Sequence, residues 1–245
     1  MTTQVKPYID LNSDMGESYG VYNYGLDQEM MPFISSANVA CGFHASDPHV
    51  MHQTVELAEH YGVRVGAHIG LPDRLGFGRR YIQLTPQELY EYSLYQLGAL
   101  DAFLRAKHMP MSHVKMHGAL YMMTAEQKEL ADAFVRAVAA FNPELEIYTL
   151  PNSQADLSAT AANLTVIREF FADRPYVQGK IKMFGWTYAE IGTYADIRAR
   201  VESLLNNPAS KTIKTICVHS DTKNSSEIMR NVKESLVSLG YSVKN

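Results

Sequence analysis

Strand-like and helix-like segments alternate along nearly the whole chain, and this alternation constrains the fold more than any other feature. Short runs with strand patterning predict strands at residues 8–13, 35–42, 63–68, 113–117, 146–151, 164–170 and 214–219. Longer segments with apolar residues at helical spacing predict helices at residues 48–61, 86–107, 125–141, 153–162, 194–206 and 224–239, and a short one near 27–32. Such alternation is typical of parallel strands joined by helical crossovers. Seven such units in 245 residues predict an α/β fold with one domain, residues 1–245, forming a closed or nearly closed (β/α) barrel. An open doubly wound sheet is the alternative.

Two helix starts and two loops add detail to this prediction. The sequence TPQE at Thr85 to Glu88 matches a capping box with proline at the first helical position. The sequence TAEQ at Thr124 to Gln127 matches the same pattern. The predicted loops 69–84 and 171–193 are long, and long loops after strands are where barrels place their chemistry.

The composition argues against several classes of function. The formal net charge is −4 with no basic run, which argues against nucleic acid because phosphate binding needs clustered Lys and Arg. No uninterrupted apolar stretch reaches membrane-spanning length, and the first residues, MTTQVKPYID, lack a signal-peptide core. We therefore expect a cytoplasmic protein with no membrane partner. The two cysteines, Cys41 and Cys217, fit a reducing compartment and are predicted to be small buried residues.

Ionisable side chains follow six of the seven predicted strands. Parallel strands in a barrel place their carboxyl ends on one face, so we expect these side chains to meet there. Along the first strand, polar Asp10, Asn12 and Asp14 alternate with apolar Ile9 and Leu11, which predicts that the polar set points into the barrel. The ionisable residues at the strand ends are Asp14, Glu17, His44, Asp47, His68, Lys115, His117, Glu169, Asp173, Arg174, His219 and Asp221.

Four of the nine histidines are predicted to form a functional cluster. His44, His68, His117 and His219 each stand at a strand end, near Asp14. Two or three imidazoles with a carboxylate suit Zn²⁺ or a similar divalent ion, and the same groups could perform acid–base chemistry without a metal. The remaining histidines are predicted to be structural, and they are His49, His52, His60, His108 and His113.

Three basic residues have competing interpretations. Lys115 points inward, where it could form a Schiff base, donate a hydrogen bond to a substrate, or pair with Asp10 or Glu169. Arg79 and Arg80 follow a glycine-containing loop and could bind a carboxylate or phosphate, or form a salt-bridged surface loop. The chain has no G-x-x-x-x-G-K-[ST] pattern, so it carries no recognisable nucleotide site of its own.

Seven motifs occur in one order along residues 1–221, and together they resemble the LamB/YcsF (lactam utilisation) family. They are DLNSDMGESYG, SANVACGFHASDP, GAHIGLPDRLGFGRR, YQLGAL, VKMHGALY, EFFADRPY and ICVHSD. The resemblance implies an irregular seven-stranded (β/α) barrel like that of the glycoside hydrolase/deacetylase superfamily. That superfamily often holds a divalent metal with one Asp and two His, which here implies Asp14, His68 and His117.

The resemblance also implies an activity, that of the A subunit of ATP-dependent 5-oxoprolinase. The reaction is hydrolytic opening of 5-oxo-L-proline, a cyclic amide, to L-glutamate. Subunits B and C would be the partners, and ATP would act through them, which fits the missing nucleotide motif. The sequence leaves the oligomeric state open, including a homo-oligomer.

The motifs and the resemblance together predict a role for each polar residue at the strand ends. The predicted catalytic residues are Asp14, Glu17, His44, Lys115 and His117. The predicted substrate-binding residues are Asn12, Asn38, Asp73, Arg79, Arg80, Asp173, Arg174 and His219. The chain departs from the family pattern at Ser46, Ile69, Met116, Met122 and Ser220, where the family usually has Gly, Pro, Pro, Asn and Gly. These departures alter loop-shaping residues and keep the polar groups.

In the predicted mechanism, partner subunits activate the lactam and the basic residues hold it. Asp14 and two of His44, His68 and His117 activate water, while the remaining histidine or Glu17 protonates the leaving group. Three alternatives remain at this stage. The chain could be a stand-alone metal-dependent amidase or deacetylase, a lyase that uses a lysine Schiff base, or a non-catalytic binding subunit.

Overall fold

The computed structural model describes residues 6–243 of the chain. Its strands are β1 (Asp10–Met15), β2 (Ser36–Ala40), β3 (Arg64–Ile69), β4 (Met111–Met116), β5 (Glu146–Thr149), β6 (Val166–Phe171), β7 (Tyr176–Val177), β8 (Lys180–Ile181) and β9 (Ile213–Cys217). Seven of them form a closed parallel barrel in the order β1-β2-β3-β4-β5-β6-β9. The barrel closes because β9 pairs with both β1 and β6, with Asp10 opposite Thr215 and Phe170 opposite Ile216. The barrel prediction is confirmed and the open sheet is wrong.

Helices follow the strands as the alternation predicts. They are α1 (Asp27–Met30), α2 (Pro48–Tyr61), α3 (Pro86–Ala106), α4 (Gly118–Glu126), α5 (Lys128–Phe141), α6 (Gln154–Ala161), α7 (Tyr188–Ile191), α8 (Tyr194–Asn206) and α9 (Ser225–Ser238). Short 3₁₀ turns occupy Met31–Phe33 and Pro208–Ser210. Both halves of the capping box at Thr85 and Glu88 are present at the start of α3. Within residues 6–243, no helix combines the length and apolar character needed to cross a membrane.

The predicted helix at 125–141 is wrong in its first part. Helix α4 begins directly after β4, and Gln127, whose backbone is extended, separates it from α5. The second predicted capping box does not form, because the Thr124 hydroxyl donates to the Leu120 carbonyl inside α4 at 2.9 Å. Helix α4 is buried on most sides and so lacks the one-sided apolar pattern by which helices are recognised in sequences.

The predicted loop at 171–193 contains structure that the sequence pattern did not reveal. Strands β7 and β8 pair there as an antiparallel hairpin, and α7 follows them. Two-residue strands and a four-residue helix are too short to produce a readable periodicity.

The main apolar core lies between the outer faces of the barrel strands and the surrounding helices. Leu11, Val65 and Val114 on the strands are at most 1% exposed. On the helix side, Leu97 and Leu104 of α3 are fully buried in the same apolar cluster. This packing leaves the alternate, inward-facing positions of the strands for polar residues.

Polar side chains fill the lower barrel interior with hydrogen bonds. Asp10 accepts hydrogen bonds from Ser36 at 2.7 Å, Tyr148 at 3.1 Å and Thr215 at 2.5 Å. Asp10 therefore binds inward hydroxyl groups rather than Lys115, so its predicted pairing with that lysine is wrong. Hydroxyl donors from three strands explain how a carboxylate is tolerated here at 2% exposure.

Lys115 occupies the centre of the barrel and neutralises two buried carboxylates. Its Nζ lies 2.9 Å from Glu169 and 3.2 Å from Asp14, and it donates to Asn12 Oδ1 at 3.3 Å and Cys217 Sγ at 3.2 Å. Burial alone would lower the pKa of Lys115, but Asp14, Cys217 and Glu169 raise it well above the usual value. The ion-pair interpretation with Glu169 is confirmed, and a charged lysine is unsuited to forming a Schiff base.

Substituting Lys115→Met tests the importance of this central charge. The variant keeps the length of the side chain but leaves Asp14 and Glu169 buried without a counter-charge, so we expect the free energy of unfolding to fall by about 3–5 kcal/mol. Urea denaturation at pH 7 measures the change. Lys214→Met, on the exposed side of β9, is the matched control and should change stability by less than about 0.5 kcal/mol. Equal losses in the two variants would contradict the prediction.

Candidate active site

Six ionisable side chains from five strand ends gather at the carboxyl-terminal mouth of the barrel. Each of them is at most 8% exposed. The residues are Asp14 and Glu17 after β1, His44 after β2, His68 in β3, His117 after β4 and His219 after β9. The structure therefore brings together the four histidines with Asp14 and Glu17, whereas Asp47, also singled out by the strand-end pattern, caps the start of α2.

Glu17, His44, His68 and His117 form a compact group that we call the histidine–glutamate centre. One ligand atom from each residue lies within 4.8 Å of the others. Glu17 Oε1 is 3.1 Å from His44 Nε2, 3.3 Å from His117 Nδ1 and 3.8 Å from His68 Nε2. The His44 and His117 rings stack at 3.8 Å between centroids, with 3° between their planes.

Backbone carbonyls determine which nitrogen carries the proton in two of these rings. His117 Nε2 lies 2.8 Å from the Phe77 carbonyl, and His68 Nδ1 lies 3.3 Å from the Lys115 carbonyl. Because a carbonyl only accepts hydrogen bonds, neutral rings must carry their protons at those positions. His117 Nδ1 and His68 Nε2 then face each other as bare nitrogens, 2.9 Å apart. Two such lone pairs require a shared proton or a cation between them.

The electrostatics of the centre favour neutral rings at His44 and His68 beside an ionised Glu17. Burial, together with His117, lowers the pKa of His44 to about 3, and burial also lowers the pKa of His68. Burial would raise the pKa of Glu17, but hydrogen bonds from His117, through the proton that its Nδ1 shares with His68, and from His44 outweigh burial and hold that pKa well below the usual value. Neutral imidazoles with a carboxylate are the donor set that divalent cations such as Zn²⁺ prefer.

Asp14 lies beside the centre and connects it to His219. Its Oδ1 accepts a hydrogen bond from Asn38 at 2.9 Å and lies 3.2 Å from the Lys115 ammonium. Its Oδ2 lies 3.3 Å from His68 Nε2 and 3.7 Å from His219 Nε2. Burial opposes ionisation, but His68 and Lys115 hold the pKa of Asp14 well below its usual value. Asp14 is therefore an ionised acceptor at neutral pH.

The carboxylate of Asp173, on the loop after β6, holds His219 in place. Asp173 accepts hydrogen bonds from the His219 backbone at 2.8 Å and from His219 Nδ1 at 3.0 Å, which leaves Nε2 facing Asp14. Thr222 and Arg174 donate to the same carboxylate at 3.0 and 2.9 Å. Asp173, His219 and Asp221 also lie close enough to surround a cation, but Arg174 already neutralises both carboxylates.

The arginines of the loop after β3 have protein partners. Arg79 forms an ion pair with Asp221, and Arg80 forms one with Asp73. The Arg80 side chain is 65% exposed and the Arg79 side chain is 35% exposed, and Asp221, the partner of Arg79, lies two residues after His219 at the mouth. The salt-bridged interpretation of this loop is confirmed for these contacts. Substrate binding by these residues stays a prediction.

Three residues that support the site, directly or through neighbouring residues, were not predicted from the sequence. The Phe77 carbonyl contacts His117, Arg74 joins neighbouring loops, and the Tyr121 hydroxyl donates to Glu169 at 3.1 Å. Tyr121 belongs to the motif VKMHGALY, so the sequence could have indicated that it lies near the site. No side-chain pattern can reveal a backbone carbonyl such as that of Phe77.

Ser46 occupies a left-handed backbone conformation. Its φ is +71°, in the region that glycine adopts without steric cost, and glycine is the residue that the family resemblance implied at this position. Ser46 is fully buried, and its carbonyl accepts a hydrogen bond from Arg74. The loop after β2 therefore keeps a glycine-like conformation although a serine stands there.

Comparison with known proteins agrees with this architecture. The A subunit of 5-oxoprolinase from Bacillus licheniformis is 41% identical over 250 residues, covering 93% of this chain and 94% of that protein. The corresponding protein from Pyrococcus abyssi is 44% identical over 245 residues, covering 96% of each.

Solved structures show the same fold. The crystal structure of a lactam utilization protein from Thermus thermophilus matches with a TM-score of 0.88 and 39% identity, covering 97% of this chain and 99% of that one. A family 4 carbohydrate esterase from Streptomyces lividans matches with a TM-score of 0.52 and 10% identity, covering 97% of this chain and 91% of that one, a likeness of fold alone. A model of the LamB/YcsF family matches residues 9–245, and the chain belongs to that family.

Proposed function

We propose that this chain is the A subunit of an ATP-dependent 5-oxoprolinase, opening 5-oxo-L-proline to L-glutamate together with subunits B and C. The observation that most directly supports this proposal is the buried mouth, where ionised Asp14 lies between His68 and His219. Such a site suits hydrolysis of a carbonyl–nitrogen bond, because it offers a proton acceptor and a proton donor in one enclosed space. The names of the full-length relatives supply the substrate.

The division of labour follows from amide chemistry. Amide resonance makes an unactivated lactam difficult to open, and the chain lacks the pattern of a phosphate-binding loop. ATP would therefore act through the partner subunits, which activate the lactam before it reaches this mouth. Cytoplasmic location stays a prediction.

The residues of the mouth have separate roles in this proposal. Asp14, kept ionised by Lys115, accepts the proton of the attacking water. His219, oriented by Asp173, donates a proton to the departing nitrogen. Arg79, at the edge of the mouth, binds the substrate carboxylate by exchanging its Asp221 partner for the ligand. Asn38 and Asn12 hold the charged side chains of Asp14 and Lys115, respectively, by hydrogen bonds.

The histidine–glutamate centre fits a divalent metal ion. Two facing bare nitrogens and an ionised carboxylate converge there, and the buried Nδ1 of His44 has no hydrogen-bond partner among the described residues. Glu17, His44, His68 and His117 would hold the ion, and the predicted set of Asp14, His68 and His117 is the alternative. A bound divalent ion would supply Lewis-acid chemistry at the reacting carbonyl.

Reconstitution is the direct test of the proposed activity. The chain is mixed with its cognate B and C subunits, ATP and 5-oxo-L-proline, and glutamate release is measured. Asp14→Asn and His219→Gln should each lower kcat about 10²–10⁴-fold, because each removes a proton-transfer group. His60→Gln, an exposed substitution on α2, should leave kcat unchanged. If the folded and assembled wild-type proteins release no glutamate, the proposed function is wrong.

Metal binding makes a second prediction that does not require activity. Equilibrium dialysis with Zn²⁺ or Co²⁺ should give one ion per chain. Removing one ligand in His68→Ala or His117→Ala should weaken the affinity at least tenfold, whereas His52→Ala on the surface should not. Wild-type protein that retains no ion would contradict the metal assignment. In that case the same residues would act by acid–base chemistry alone.

The stand-alone amidase or deacetylase is the rival function, favoured by the metal-ligand geometry of the centre. It predicts turnover of simple amides by the isolated chain with a metal and without ATP. Activity only in the presence of the partner subunits would exclude it.

A further inference from the structure

We propose that Arg74, to which the sequence patterns assign no role, positions the histidine–glutamate centre by holding the loop of residues 71–80 over it. This inference rests on the proposed function for its catalytic consequence. Its structural part concerns which ring nitrogen of His117 carries the proton, and that part can be measured without any turnover.

Arg74 connects three loops at the mouth of the barrel. Its guanidinium donates to the Ser46 carbonyl at 2.8 Å and to the Gly42 carbonyl, both in the loop after β2. The same guanidinium lies 3.8 Å from the centroid of the Tyr19 ring in the loop after β1. Arg74 itself belongs to the loop after β3. A planar fork of donors that also stacks on an aromatic ring is a set of contacts that lysine cannot reproduce.

The loop that Arg74 holds packs directly on the stacked histidines. Phe77 has a left-handed backbone, with φ of +54°, and its carbonyl accepts from His117 Nε2 at 2.8 Å. A side chain at Gly78 would place its Cβ 2.7 Å from His44 Cβ and 2.9 Å from His117 Cδ2. The Gly78 carbonyl accepts a hydrogen bond from Ala119 N at 2.9 Å, which anchors the loop to the start of α4.

These contacts give Arg74 an influence on the centre although it touches none of its residues. A non-glycine residue in the left-handed region is strained, so surrounding contacts must hold Phe77 in place. Arg74 provides such contacts three residues earlier. With the Phe77 carbonyl in place, His117 carries its proton on Nε2 and presents bare Nδ1 to Glu17 and His68. Without it, the imidazole is free to adopt the other tautomer, in which Nδ1 is protonated.

The test compares Arg74→Met with Arg105→Met, an arginine on the exposed face of α3 whose ion pair with Asp101 is local. Spectra of ¹⁵N-histidine-labelled protein report the His117 tautomer, with its signals assigned by His117→Gln. We expect His117 Nε2 to be fully protonated in the wild type and in Arg105→Met, and only partly protonated in Arg74→Met. Co²⁺ affinity should fall about 10–100-fold in Arg74→Met, and kcat in the reconstituted assay should fall while KM stays the same.

Two further variants keep the test decisive. Arg74→Lys retains the charge and replaces Arg74→Met if that protein does not fold. Gly78→Ala leaves Arg74 intact but displaces the loop from the rings, so it should change the His117 tautomer in the same way. An unchanged tautomer and an unchanged kcat in the Arg74 variants, with only a lower melting temperature, would overturn the proposal. If the wild type neither binds Co²⁺ nor releases glutamate, the proposed function fails, and the tautomer comparison still decides the role of Arg74.

Discussion

The buried ammonium of Lys115 is the interaction on which the polar barrel depends. Asp14 on β1 and Glu169 on β6 both approach it, and a carboxylate buried at this depth is costly without a counter-charge. Because Lys115 stabilises the charge of Asp14, it also sets the chemistry one layer above, where Asp14 meets His68 and His219. Structural stability and the state of the candidate catalytic base therefore rest on one side chain.

Most of the fold could be predicted from the sequence because its signals are long and periodic. Each predicted barrel strand overlaps an observed one, and the inward direction of Asp10, Asn12 and Asp14 follows from alternation alone. Helix α4 was missed for a physical reason, since burial on most sides removes the polar face that makes a helix readable. Short elements such as β7 and α7 carry too few residues to show any period.

The membership of the candidate site was predictable, but its connections were not. Strand ends identified the four histidines, since parallel strands in a barrel must bring those ends together. Strand ends do not reveal which side chains pair with each other, because pairing depends on how far each side chain reaches across the barrel. Thus Lys115 pairs with Asp14 and Glu169 rather than Asp10, and Arg79 pairs with Asp221. The Phe77 carbonyl lies beyond any sequence pattern, since every residue has one.

The pairing of β9 with β1 has a consequence for how the protein is made. Thr215 and Asp10 are hydrogen-bonded partners separated by 205 residues, and β1 has no neighbour on that side until β9 arrives. A ribosome releases the amino-terminal part of a chain first, so Asp14 leaves it long before His219 does. Closure of the barrel therefore needs both ends of the chain, and contacts so distant in sequence form slowly. Until then the main-chain hydrogen-bonding groups on that edge of β1 have no strand partner within the chain.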